Sequence, residues 1–153
     1  MKIALFGASG GIGAKVLSIA LNNGDTVYAY VRNPDKVKIE HPNLHVISGN
    51  LTDMTTMEDA IMNAELVISA LGPGLKTKRN EKATPIADGH EVILQVMKKF
   101  KKRRLITLAT PTIRAEDDPR SLLLTMPPIM AKIMFPPAYR DIIRMGKIVR
   151  NSE

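Results

Sequence analysis

The sequence predicts an α/β fold, a doubly wound parallel sheet with its strands in the order 3-2-1-4-5. Three observations predict it. Five short runs, apolar on both faces, are spread over residues 2–109, as in strands buried between two helical layers. Stretches with helical spacing or helix-end signals separate most of them. A glycine-rich stretch, Gly7 to Gly13, joins the first apolar run to the first helical one. Right-handed crossovers then leave few topologies.

Each element follows in order. Lys2-Ile-Ala-Leu-Phe6 is the first strand, and a helix is expected from Gly13 to Asn23, where Ile12, Val16, Ile19 and Ala20 recur at helical spacing and Asn23-Gly24 supplies a stop. Thr26 to Val31 is the second strand. After Asn33-Pro34 little apolar periodicity shows until the third strand, Leu44 to Ser48. Thr55-Thr-Met-Glu58 reads as a capping box that opens a helix of roughly two turns. Leu66 to Ala70 is the fourth strand. A long helix from about Lys82 to Phe100, carrying Ile86, Val92, Ile93, Val96 and Met97, leads to the fifth, Leu105 to Ala109. Six of the ten prolines lie after Thr110, at 111, 119, 127, 128, 136 and 137, and are expected to break the last third into short pieces. Residues 1–153 are read as a single domain, with a regular core over 1–110 and a proline-rich lid or helical segment over 111–153.

Composition narrows the chemistry. Hydrophobic residues are 44% and charged residues 24% of the 153, close to the globular average, which argues against a disordered chain. Cysteine is absent, so disulfides, thiolate metal sites and cysteine nucleophiles are excluded. No apolar run approaches the roughly 18 residues that span a bilayer. Met1-Lys2 and the apolar residues after it are interrupted by glycines and by Lys15, unlike a signal peptide, so a cytoplasmic protein without a membrane partner is expected. His41, His45 and His90 lie on separate segments without metal-ligand spacing and are read as surface or structural residues.

Of the net +7, residues 98–104 alone supply +6. One reading is a nucleic-acid or acidic-lipid surface. The other is a solvated helix end, where cations complement the helix dipole. The second is preferred, because Phe100 is the single aromatic in the run and no nucleic-acid motif accompanies it.

Ligands of doubly wound sheets sit beyond the carboxyl ends of the strands, so the loops after Phe6, Val31, Ser48, Ala70 and Ala109 form the candidate site. Gly7-Ala-Ser-Gly-Gly-Ile-Gly13 fits G-x-x-G-x-x-G through Gly7, Gly10 and Gly13, and G-x-x-x-G-x-G through Gly7, Gly11 and Gly13. Between a strand and a helix, such a loop lets backbone N–H groups approach a pyrophosphate, which makes the fold Rossmann-type; a merely tight turn is the other reading. The end of the second strand, where an NAD site carries Asp or Glu, reads Val31-Arg32-Asn33-Pro34. Arg32 offers a planar fork to a 2′-phosphate and no carboxylate repels it, so NADP(H) is favoured over NAD(H). Against this stands an ordinary exposed arginine.

The glycine loop, the Arg32-Asn33-Pro34 turn, Gly49-Asn-Leu-Thr-Asp53 and Ala70-Leu-Gly72 together resemble the atypical short-chain dehydrogenases/reductases. Within them the chain is most similar to the NAD(P)H-binding, NmrA-like proteins of the NADH-flavin reductase and biliverdin reductase B type. The resemblance implies that Gly7, Ser9, Gly10, Gly11, Ile12 and Gly13 cradle the pyrophosphate and that Arg32 meets the adenosine phosphate. It also implies that Asn50, Leu51 and Asp53 border the adenine, with Asp53 equally readable as a helix N-cap. Ala70, Leu71 and Gly72 would line the dinucleotide by backbone. Thr110 takes the place of a Ser or Thr near the nicotinamide, the catalytic candidate, or is a strand-end hydroxyl bonded to backbone.

Two departures shape the expectation. Tyr139 is followed four positions later by Ile143, so the Tyr-x-x-x-Lys pair of proton-donating relatives is absent. The resemblance also implies a sixth strand after the final helix, and the sequence ends at Glu153 before it, so a shortened C-terminal part is expected. Between these elements, Ser121 to Phe135 is strongly apolar, with three Met and one Phe. It is read as a cover for an aromatic ring, as ordinary helix packing, or as a self-association surface over 122–135. The activity expected is hydride transfer from NADPH to a small-molecule acceptor, a flavin or quinone-like substrate. The alternative is a nucleotide-binding redox sensor without turnover.

Overall fold

In the computed structural model the described residues are 1–73, 82–110, 112–113 and 122–152, with the backbone alone described at 122–125. Five parallel strands form one sheet, β1 (Lys2–Phe6), β2 (Thr26–Val31), β3 (Leu44–Ser48), β4 (Leu66–Ser69) and β5 (Leu105–Thr107). Their order is β3-β2-β1-β4-β5, as the sequence predicts. β4 and β5 end one and two residues earlier than expected.

The alternation of side chains along a strand divides the core into two layers. From β1, Ala4 and Phe6 face one side, where Met57, Ala60, Ile61, Ile93, Val96 and Met97 are buried against them. Ile3 and Leu5 face the other, with Leu17, Ala20 and Leu21. The helices that supply these residues are α1 (Gly11–Asn22), α2 (Met54–Ile61) and α3 (Pro85–Lys99). α1 stops at the expected place: Gly24 has φ +79°, and its N–H donates to the Leu21 carbonyl at 3.0 Å. α2 departs from expectation. Its N-cap is Asp53 rather than Thr55, because the Asp53 carboxylate accepts from the Thr56 N–H at 3.1 Å and from the Thr56 hydroxyl at 2.5 Å.

The last third is also less broken than the prolines suggest. α4 (Leu122–Met134) runs through Pro127 and Pro128, and Pro136 opens α5 (Pro136–Arg150) at a position where no backbone donor is needed. Pro127 and Pro128 do remove two amide donors from α4, but Leu, Met, Ile, Ala and Lys around them are good helix formers. Pro111, Pro119 and Ser121 lie outside the described residues.

The chain divides into two compact units, residues 1–72 with 92–108 and residues 73–91 with 109–153. The first holds the sheet, α1, α2 and the carboxyl half of α3. The second holds the amino half of α3, α4 and α5. Among the described residues no helix is long and apolar enough to cross a membrane. The basic run begins in the last turn of α3 and turns at Lys101, φ 55°. Lys99 bonds both Glu58 oxygens at 2.6 Å and lies 5.5 Å from the Phe100 ring centroid. Phe100 itself packs against the core, so it is not a free platform for a base.

Candidate functional site

The glycine loop follows from β1 directly. At Gly7 the backbone takes φ +82°, and a side chain there would stand 2.8 Å from the Ala70 carbonyl oxygen, so only glycine fits between the loop and the end of β4. Gly10 N–H donates to the Gly7 carbonyl at 3.0 Å, closing the turn. A Cβ on Gly13 would overlap that same carbonyl, which brings the first turn of α1 against the loop backbone.

Around Gly11, by contrast, nothing lies within 4 Å of the point where a Cβ would stand. The N-cap of α1 is Gly10, without a capping side chain, and no acidic residue stands in the first turn. The first amides of a helix have no partner within it, and the dipole there is positive. An uncapped helix start with open space in front fits a pyrophosphate. Ser9, Gly10, Gly11 and Ile12 are exposed, and Ile12 is 55% exposed beside the buried Gly13.

The neighbouring strand ends supply the rest of the unit's carboxyl edge. Val31 is buried and Arg32 exposed, with no side-chain partner for its guanidinium among the described residues. The Asn33 side chain then accepts from the Asp35 N–H at 3.0 Å and starts the short turn Pro34–Lys36. After β3, Asn50 is exposed and Leu51 packs against the core. Asp53 is held by Thr56, whose hydrogen bonds keep its carboxyl below the usual range, so its N-cap role is directly seen. After β4, the Ala70 N–H donates to the Phe6 carbonyl at 2.9 Å, Leu71 is half-buried and Gly72 faces open space. The Ser69 hydroxyl, fully buried at the end of β4, has no hydrogen-bond partner among the described residues.

Thr110 belongs to the second unit. Its hydroxyl bonds the Thr112 hydroxyl rather than backbone, while its carbonyl accepts from the Ile113 N–H at 2.9 Å. On α4, Met126, Ile129, Met130, Ile133 and Met134 are each about half exposed or more, a continuous apolar stripe. The side chains of Leu122, Leu123 and Leu124 lie outside the described residues.

The second unit also holds a polar cluster that sequence reading misses. Asp141 is 3% exposed, and its two oxygens accept from the N–H groups of Ile86 at 3.1 Å and Ala87 at 2.8 Å in the first turn of α3. Arg144, one turn along α5, bonds Asp88, Glu91 and Thr84. A signal is present in the sequence: Asp141 falls on the face of α5 otherwise made by Pro137, Ala138, Ile142 and Met145. A carboxylate in an apolar stripe needs partners.

His90 is fully buried within this cluster, its Nδ1 2.7 Å from the Ile86 carbonyl. Burial lowers its pKa from 6.5, and the Ile86 carbonyl and Asp141 act in the opposite sense. It is thus structural, as read. Because the folded pKa is the lower one, the unfolded chain binds more protons below 6.5. Stability is therefore full above that pH and is lost as pH falls through the folded value. Urea midpoints should drop between about pH 7.5 and 5.5, and His90→Gln should flatten that slope; an equal slope in both proteins assigns the effect to other groups. Among the described residues no group of His, Asp or Glu is arranged to hold a metal ion.

Comparison with known proteins adds two findings. Residues 7–153 match the family described as NAD(P)H-binding. The fold is similar to that of the anaerobillin reductase ChuY from Escherichia coli, TM-score 0.75 at 22% identity over 99% of this chain and 68% of that one. It is also similar to a short-chain dehydrogenase/reductase from Veillonella parvula in complex with NADP, TM-score 0.67 at 18% identity over 98% of this chain and 64% of that one. A third likeness is to WbmH from Bordetella bronchiseptica in complex with NAD+, TM-score 0.72 at 18% identity over 99% and 52%. The chain spans about two thirds of these structures' length or less, and at such identities the likeness is one of fold.

Proposed function

The chain belongs to the NAD(P)H-binding family, and from that premise we propose that it is an NADPH-preferring reductase acting on a flavin or quinone-like acceptor. The observation that carries the reading is the uncapped start of α1 behind the glycine loop, with the exposed Arg32 at the end of the adjacent β2. Amides of Gly11, Ile12 and Gly13 bind the pyrophosphate, and the Arg32 fork binds the 2′-phosphate. A bound NADPH supplies the hydride. Since α5 carries Tyr139 and Ile143 in place of a Tyr-x-x-x-Lys pair, the chain lacks that tuned proton donor for a ketone or alcohol. An acceptor that takes hydride into a conjugated ring asks less of the protein, chiefly position.

Titration with both nucleotides tests the binding half. NADPH should bind tighter than NADH, and Arg32→Ala should weaken NADPH by about 10- to 100-fold, the worth of one charge-assisted contact, while NADH changes little. Comparable binding of both nucleotides by the unsubstituted protein would contradict the role of Arg32. Following NADPH absorbance with FMN present tests the catalytic half. Oxidation above the flavin-only background supports the reductase; tight binding with no oxidation leaves the nucleotide-sensing alternative in its place.

A further inference from the structure

Tyr30 lies between the glycine loop, which the proposed function assigns to the pyrophosphate, and the 49–53 loop, whose Asn50 and Leu51 the resemblance places beside the adenine. It is 2% exposed, so it is not itself a contact for a ligand. Its ring centroid stands 5.2 Å from that of Phe6, the residue immediately before the glycine loop. Its hydroxyl donates to the Asn50 carbonyl at 2.7 Å and lies 3.4 Å from the Asp53 carbonyl. Gly49 sits against the hydroxyl end of the same side chain: a Cβ there would overlap the hydroxyl oxygen and stand 2.6 Å from Cζ. Burial first, and the Asp53 charge second, push the phenol up to about 12, so it remains a neutral donor at neutral pH.

We propose that Tyr30 is a positioning residue for the adenine half of the cofactor, its ring backing the entry to the glycine loop and its hydroxyl holding the 49–53 loop in one shape. The far end of that loop is fixed separately, because the Asp53 carboxylate caps α2. A loop held at both ends loses little entropy when a nucleotide settles against Asn50 and Leu51, and such preorganisation appears as affinity. Gly49 is required for the same reason, since any side chain would push the loop away from the hydroxyl. The inference rests on the dinucleotide reading of both loops.

Calorimetry with two cofactor fragments tests it, using adenosine 2′,5′-bisphosphate for the adenine half and nicotinamide mononucleotide for the other. Tyr30→Phe keeps the ring against Phe6 and removes the hydroxyl. It should weaken the adenine fragment about five- to ten-fold, the worth of one hydrogen bond, and leave the nicotinamide fragment within about two-fold. A merely structural role would lower the urea midpoint and leave the ratio of the two affinities unmoved. Gly49→Ala keeps the Tyr30 side chain but sets a methyl against its hydroxyl oxygen, so the loop must shift away from that hydroxyl, and the same selective loss is expected. Unchanged affinity for the adenine fragment in either folded variant overturns the proposal. If the unsubstituted protein binds neither NADPH nor NADH, the dinucleotide reading itself falls and the inference with it.

Discussion

Gly13→Ala should cost about 3 kcal/mol of stability, at the upper end of overpacking effects, and about a hundred-fold in NADPH affinity. The added methyl has no side chain to push aside. It meets the backbone carbonyl of Gly7 and the carbonyl carbon behind it at 2.6 Å, so relief requires the start of α1 to move away from the loop. Moving α1 displaces the first-turn amides that the proposed function aims at the pyrophosphate; two charge-assisted hydrogen bonds weakened by about 1.5 kcal/mol each account for the expected affinity loss. For stability, Gly11→Ala is the matched control, because nothing in the protein lies within 4 Å of its Cβ position and alanine is the better helix former. Urea unfolding of both variants, with NADPH titration of Gly13→Ala, decides the matter. Equal damage from the two substitutions would show that helix propensity or some other shared effect, and not the overlap at Gly7, governs the loop.

Asp141→Ala should lower stability by about 3 kcal/mol, the loss of two hydrogen bonds to a charged acceptor taken with partial relaxation. The Ile86 and Ala87 amides, in the first turn of α3, are left in a buried setting without their acceptor. Asp141→Asn keeps one acceptor oxygen and should cost about half as much. Arg144→Met gives a comparison on the same helix. Its partners Asp88 and Glu91 are half exposed, and pairs of that kind contribute little. An Asp141→Ala variant as stable as Arg144→Met would mean that water reaches the two amides.

The first three strands are legible to the residue: β1 and β2 because burial on both faces leaves a near-continuous apolar run, and β3, partly exposed at the sheet edge, because its short apolar run stands between Asn43 and Gly49. β5 is shorter than its apolar run: Leu108 and Ala109 continue the run, but the strand ladder with β4 ends at Thr107, opposite Ser69. The start of α2 is ambiguous in sequence because Thr55 and Asp53 both offer capping oxygens two residues apart, and the carboxylate wins by taking two donors from Thr56. At the candidate site, the glycine spacing is readable because the turn at Gly7 and the close contact at Gly13 each exclude a side chain, and Arg32 because its proposed role needs one residue type at one strand end. Tyr30 is not: an aromatic in a strand reads as core, and its partners lie 20 and more residues away. Asp141 reaches back 54 and 55 residues, a separation that no local pattern encodes.

The brevity of β5 bears on how this protein behaves at high concentration. An edge strand is a template for pairing with another copy, and Ile106, 52% exposed, would favour such stacking. Among the described strands β5 lies at one edge of the sheet, yet only three residues long it presents few open backbone groups. Immediately before it stand Lys101, Lys102, Arg103 and Arg104. Two such edges paired in parallel would set these cations against each other, and charges flanking an apolar strand act as gatekeepers against aggregation. The run that supplies most of the chain's net charge thus also flanks one exposed edge of the sheet, and neutralising residues 101–104 should cost solubility.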